Sequence, residues 1–302
     1  VTRLKVLFAG PHVTLQDQGR PGHLRFGVPA SGPMDRLAFR LAQGAIGAEG
    51  AAIEVSLGGL ALQNLDEDVT LAIAGGGFIA EHRGKGTSWQ VLTLRRGETL
   101  RLRPGFWGAW TYVAVAGRIQ ASTWLGAQAT HGPSGLGGGR LTTGQILTIE
   151  TPRTLPETAI PCPVTARPRS ILRATPGPQD RFFSRTSLTA IFSESFTLSP
   201  AIDRMGLRLT GPHLPPEGAL SIPSEPLLRG SVQVNGAGVA SILMADHQTT
   251  GGYPKIATVI DADLDAAARL RPGDRLRFAP VTPEQALGIE RLQRILPKTG
   301  RD

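Results

Sequence analysis

Short apolar segments of alternating pattern, cut apart every few residues by glycine or proline, constrain this chain more than any other feature. Ala51-Ala-Ile-Glu-Val-Ser-Leu, Val69-Thr-Leu-Ala-Ile-Ala and Trp110-Thr-Tyr-Val-Ala-Val-Ala are three of them, and 38 glycines and 24 prolines supply the punctuation. Such segments are too short for helices and rich in residues that fit a pleated surface, so the fold class is mainly β. Leu94-Arg-Arg-Gly-Glu-Thr-Leu-Arg-Leu, Leu141-Thr-Thr-Gly-Gln-Ile-Leu-Thr-Ile and Leu270-Arg-Pro-Gly-Asp-Arg-Leu-Arg-Phe share one shape. Each reads as a turn at glycine that feeds a strand.

Helices are expected to be few and short. Met34, Leu37, Ala38, Leu41 and Ala45 fall on one face, with Ser31 and Pro33 as start signals. Further helices are expected at 263–270 and 187–192. A fourth begins at Thr282-Pro-Glu-Gln, where Gln285 stands three residues after Thr282 as in a capping box, and its face of Ile289, Leu292 and Leu296 is expected to dock on the body or a partner. Periodicity is lost over 151–169, where five prolines gather, which predicts domains at 1–160 and 161–302. Gln16-Asp17, Asp35-Arg36 and Gly97-Glu-Thr-Leu-Arg are echoed in order by Gln179-Asp180, Asp203-Arg204 and Gly273-Asp-Arg-Leu-Arg. Two similar barrel-like halves with equivalent Asp-Arg pairs near a shared cleft would follow.

Charge and composition narrow the function. The net charge is +8, but the basic residues are scattered and aromatics are only 5%, so neither a recognition helix nor a stacking platform for nucleic acid is expected. Anionic small molecules or acidic protein partners suit the charge better. No apolar run approaches the ~18–20 residues that span a bilayer. No export signal is read at the N-terminus, and with Cys162 as the single cysteine a reducing cytoplasm is the expected location. The six histidines show no metal-ligand spacing, and no P-loop, dinucleotide fingerprint or GxSxG elbow occurs. Gly84-Lys85-Gly86-Thr87 reads as a hairpin turn, and no Met-Lys-Met site for covalent biotin exists on this chain.

The densest collection of functional groups is Met244-Ala-Asp-His-Gln-Thr-Thr-Gly-Gly-Tyr-Pro-Lys255, between strand-like segments at 231–234, 239–244 and 256–260. Gln248, Thr249, Thr250 and Tyr253 are candidate substrate contacts, and Gly251-Gly252 allows positive φ or close approach to a ligand. Lys255 is one of four lysines among 32 basic residues, an ammonium whose charge can be tuned by burial. The alternative is a polar hairpin loop that satisfies only itself. Asp17-Gln-Gly-Arg20-Pro-Gly is a tight turn in which Asp17 either caps the turn and pairs with Arg20 or faces a ligand. Asp35-Arg36 and Asp203-Arg204 admit both readings: buried together, an Asp orients a substrate N–H and an Arg holds a carboxylate; exposed, they are surface ion pairs.

Asp17-Gln-Gly-Arg-Pro-Gly, Gly27-Val-Pro-Ala-Ser-Gly-Pro-Met-Asp35, Pro176-Gly-Pro-Gln-Asp-Arg-Phe, Asp203-Arg-Met-Gly, Ser224-Glu-Pro and Asp246-His-Gln-Thr-Thr-Gly-Gly-Tyr-Pro-Lys-Ile-Ala-Thr, in this order over about residues 5–278, resemble the biotin-dependent carboxyltransferase family. That family includes the C-type subunit of 5-oxoprolinase, also called allophanate hydrolase subunit 2, and the KipI antagonist KipA. The resemblance implies two cyclophilin-like β-barrel domains and a heteromeric complex with a B-like (KipI-like) 5-oxoprolinase protein and an A-like one. That complex would use ATP to open 5-oxo-L-proline to L-glutamate. Asp203, Arg204 and Lys255 would be catalytic, and Asp17, Arg20, Ser31, Asp35, Gln248, Thr249, Thr250, Gly251, Gly252 and Tyr253 would bind substrate. The same resemblance implies two alternatives: the carboxyltransferase part of a urea- or allophanate-type biotin system, and a KipA-like regulatory antagonist. Two positions depart from the family pattern, His247 where it carries Arg and Ile202 where it carries Ser. A histidine there softens the positive charge at neutral pH.

Overall fold

The computed structural model describes residues 1–217 and 222–295, with side chains to 292. It is mainly β, and four α-helices lie among the described residues. The chain divides into two compact units, 1–168 with 268–271, and 169–267 with 272–302.

In the first unit the strands sort into two sheets. The larger runs Arg118–Ile119, Ile146–Glu150, Thr2–Ala9, Leu60–Asn64, Thr99–Arg103, Ile79–Glu81, Lys85–Thr87, and the smaller runs Thr158–Ala159, Gln90–Leu94, Val69–Ala74, Thr111–Val115, Ala52–Val55, Thr14–Gln16. Thr2–Ala9 shows the pattern of a half-buried strand, with Thr2, Leu4 and Val6 inside and Arg3, Lys5 and Leu7 outside. Val69–Ala74 and Thr111–Val115 are buried at every residue, because a sheet covers one face and helix α1 (Arg36–Ile46) packs on the other. The helix turns Ala38, Phe39, Ala42 and Ile46 toward those strands, and the Phe39 ring meets Tyr112 edge-on at 5.9 Å. Its N-cap is Asp35, whose carboxylate accepts from the Ala38 amide, so the helix starts beyond the Ser31 and Pro33 that the pattern suggests.

The second unit is a closed barrel in the order Ile171–Pro176, Lys255–Val259, Ser231–Val234, Ala240–Leu243, Gly206–Thr210, Phe196–Ile202, Arg275–Pro280. The last strand returns beside the first in parallel, and the other barrel pairings are antiparallel. Phe196 and Phe278 meet edge-on at 5.7 Å inside it. Helix α2 (Arg185–Ser193) starts at Ser184, whose hydroxyl accepts from Ser187 N, and packs on Arg275–Pro280. Helix α3 (Asp261–Arg269) carries Asp263 in its first turn, 1% exposed, with Arg173 and Arg169 on its carboxylate at 2.7–3.0 Å.

The three glycine turns are as the sequence predicts. Gly97, Gly144 and Gly273 take φ of 81°, 91° and 90°, and each opens onto a strand. Helix α4 (Pro283–Ile295) has the reciprocal capping box: Thr282 N donates to Gln285 Oε1 at 2.9 Å and Gln285 N to Thr282 Oγ1 at 3.2 Å. The face expected to dock on the body or a partner is covered only in part at the described positions. Ile289 is half-buried and Leu292 is 62% exposed, while Leu296 lies outside the described residues. Lys85–Thr87 is a strand, and the hairpin turn sits one step earlier at 82–84.

Candidate functional site

In the second unit the candidate residues gather where the chain leaves Ala240–Leu243 and returns into Lys255–Val259. Arg204 and Asp246 form the base of this region. Nε reaches Asp246 Oδ2 at 2.8 Å and Nη2 reaches Oδ1 at 2.9 Å, with the side chains 2% and 0% exposed. A paired fork on a buried carboxylate is the geometry in which guanidinium is hardest to replace. Two backbone bonds, Asp246 N to Arg204 O and Met244 N to Met205 O, join the same two segments. The adjacent Asp203 does a different job: its Oδ1 accepts from Met205 N and Gly206 N and fixes the turn. Asp35 likewise takes a distant ion-pair partner, Arg269.

Lys255 is 5% exposed. Its Nζ lies 3.3 Å from Glu225 Oε2 and 3.4 Å from Pro226 O. Glu225 is brought there by a two-residue ladder, Glu225–Pro226 against Thr250–Gly251. Gln179 then locks both: its Oε1 accepts from Lys255 N at 2.8 Å and its Nε2 donates to Glu225 at 2.6 Å. Gln248 donates to Gln233, and Gln233 donates to Tyr253 O. Thr249 accepts from Leu227 N through its carbonyl, Gly252 accepts from Ile222 N likewise, and the Tyr253 ring is 46% exposed. Gly251 and Gly252 do not take positive φ, which is one of the two uses the sequence allows for them. At Gly251 the backbone runs close to two side-chain ends, since a Cβ there would stand 2.8 Å from Leu227 Cδ1 and 3.1 Å from Gln233 Nε2.

His247 is buried beside this cluster. Its Nδ1 lies 2.6 Å from Gln248 O, which makes Nδ1 the protonated nitrogen and Nε2 the basic one in the neutral ring. Burial pushes its pKa down; the Gln248 carbonyl and Asp246 oppose this, and Arg229 adds to it.

In the first unit, Asp17 and Arg20 hold the loop at 124–129. The Asp17 carboxylate accepts from Gly19 N, Gln128 N and Ala129 N at 2.6–3.1 Å. Arg20 donates to Trp124 O and Ala129 O and stacks 4.6 Å above the Trp124 ring. Asp17 therefore caps its turn, while Arg20 bonds that loop. Arg20 N donates to Ala30 O, which draws in Ser31. Ser31 sits at φ 55° with its buried hydroxyl lacking a hydrogen-bond partner among the described residues. Asp35 belongs to a different buried network. It receives both Arg269 nitrogens at 2.6 and 2.8 Å, its amide donates to Tyr112 Oη, and Tyr112 donates to Glu54 at 2.7 Å. Burial, with the charges of Glu54 and Asp35, raises the Tyr112 pKa well above its ordinary value.

Sequence reasoning gives no site role to Gln179, Glu225, Gln233 or Arg229. Gln179 and Glu225 stand in motifs that carry the family resemblance. Their polar character beside a proline in strand-poor stretches is the available signal.

One chain thus combines a two-sheet unit with a closed β-barrel that carries buried Arg204 and Lys255. The model for "Carboxyltransferase domain, subdomain A and B" matches residues 26–280, and the chain belongs to that family. It is 34% identical to the C-type subunit of 5-oxoprolinase from Haemophilus influenzae, over 97% of this chain and 96% of that protein. It is 29% identical to urea amidolyase of Saccharomyces cerevisiae over 99% of this chain and 18% of that protein. The crystal structure of Kluyveromyces lactis urea carboxylase superposes with a TM-score of 0.86 at 24% identity, covering 97% of this chain and 28% of that one, a likeness of fold.

Proposed function

We propose that this chain is the C-type subunit of an ATP-dependent 5-oxoprolinase, working with A-like and B-like subunits. The observation that supports this reading is identity: over almost the whole chain it is 34% identical to a C-type 5-oxoprolinase subunit and 29% identical to a urea amidolyase. Opening a lactam adds water across the amide C–N bond, so the ring nitrogen leaves as an amine once it gains a proton. Phosphorylation of the amide oxygen by ATP would make the carbon a better electrophile; water then adds, the C–N bond breaks to leave an amine and an acyl phosphate, and a second water releases phosphate from the acyl group. The contribution assigned to this chain is positive charge held in a water-poor setting: Lys255, oriented by Gln179 and Glu225, stabilises developing negative charge. Arg204 is bound at both forks to Asp246, so its role is to position the Asp246-His247 segment.

Glutamate release from 5-oxoproline and ATP by the three mixed subunits, omitting each in turn, tests this. Activity is expected to require this chain, and Lys255→Ala is expected to lower kcat by ~100-fold. An assembled complex that turns over equally well without the chain would overturn the assignment. A second reading, carboxyl transfer from biotin supplied by another protein, is favoured by the family model and by the urea amidolyase relative. Carboxylation of urea dependent on a biotinylated partner, with no glutamate release, would select it.

A further inference from the structure

On the outer face of the barrel, strands Gly206–Thr210 and Ala240–Leu243 carry a hollow of about 250 Å³. Its floor follows from register. Gly206 stands opposite Leu243 and Arg208 opposite Ser241. Residues directly opposite in a ladder project to the same side, so Arg208 and Ser241 rise together while Leu207 and Ile242 fill the core. Gly206, two residues before Arg208 on the same face, adds no side chain there. Asp203, Met205, Leu243 and Gln248 also line the hollow.

The groups that line the hollow are chemically complementary to one kind of molecule. Arg208 is an exposed guanidinium, a planar fork suited to a carboxylate. Both backbone bonds accepted by Asp203 fall on Oδ1, which directs Oδ2 to a further donor. Gln248 is held by Gln233 at 3.2 Å, and Ser241 adds a hydroxyl. We propose that this hollow binds a small carboxylate with an N–H beside it, a ring amide or an amino acid, with Arg208 on the carboxylate and Asp203 on the N–H. The choice of 5-oxoproline as probe rests on the ring-opening reading; the hollow and its donor set do not.

The test titrates the full-length chain with 5-oxoproline and follows backbone amides by NMR. Saturable shifts are expected at Gly206, Ser241 and Gln248. Arg208→Ala, a change at an exposed strand position, is expected to weaken binding at least tenfold. 2-Pyrrolidinone, which lacks the carboxylate, is expected to bind at least tenfold more weakly. The proposal is overturned if about 10 mM 5-oxoproline, ten times a Kd of ~1 mM, shifts none of these amides, or if Arg208→Ala or loss of the carboxylate changes nothing. The three-subunit assay separates the two readings. Binding at the hollow without glutamate release removes the ring-opening assignment and keeps the site. Glutamate release unaffected by Arg208→Ala, with no shifts at the hollow, does the reverse.

Discussion

At the scale of single residues, the most consequential fact is that buried aspartates and arginines found their ion-pair partners far away in sequence. Arg204 took Asp246, forty-two residues away, and Asp35 took Arg269. A strand or turn projects neighbours in different directions, so the partner of a charged residue is chosen by the fold. The Arg204–Asp246 pair is sealed from water, and removing one member strands the other. Asp246→Ala is expected to cost about 3–5 kcal/mol in urea unfolding of the second unit, while Asp246→Leu combined with Arg204→Met is expected to cost less. A single substitution that proves harmless would show that the pair is not sealed. His247 carries a related lesson. The sequence marks it as a softer charge than arginine, and the fold goes further by burying it and assigning its proton to Nδ1.

At the scale of elements, local chemistry is a good guide wherever a cap or turn is decided by residues three or four apart. The Thr282–Gln285 box and the three glycine turns are complete within a few residues, and both are readable directly. Thr282→Ala is expected to destabilise α4 by ~1 kcal/mol, with faster amide exchange confined to its first turn. Exchange accelerated throughout the barrel would show that α4 is coupled to it. The start of α1 is less legible because Ser31, Pro33 and Asp35 all carry helix-start chemistry. Only Asp35 is held at the right place, by the Tyr112 and Arg269 contacts on its amide and carboxylate.

At the scale of the whole molecule, a chain of net charge +8 gains further positive charge as its carboxylates protonate, so acid unfolding is set by the carboxylates the fold holds ionised. Glu98 is lowered to about 2, first by Arg83, then by His82 and the Arg95 amide against burial. Asp263 is pushed up by burial, but the Arg173 bonds and Arg169 outweigh that and lower it. In each case the unfolded chain binds the proton first, near ~4.3 for Glu and ~3.9 for Asp. Their stability is therefore present above those values and lost as pH falls through the folded ones. Glu98→Gln is expected to flatten the loss of stability between pH ~4.3 and about 2 without changing its dependence above pH ~5; an unchanged acid limb would show that Glu98 is not held. By itself the sequence determined the mainly β class, the glycine turns, the Thr282 cap of α4 and the family, because each is written in short-range pattern or in ordered motifs. The tertiary structure alone decided that Gln179 and Glu225 hold Lys255, and that Asp203, Arg208, Ser241 and Gln248 share one hollow. Those relations join residues tens of positions apart, and only strand register and barrel closure bring them within a few ångströms of one another.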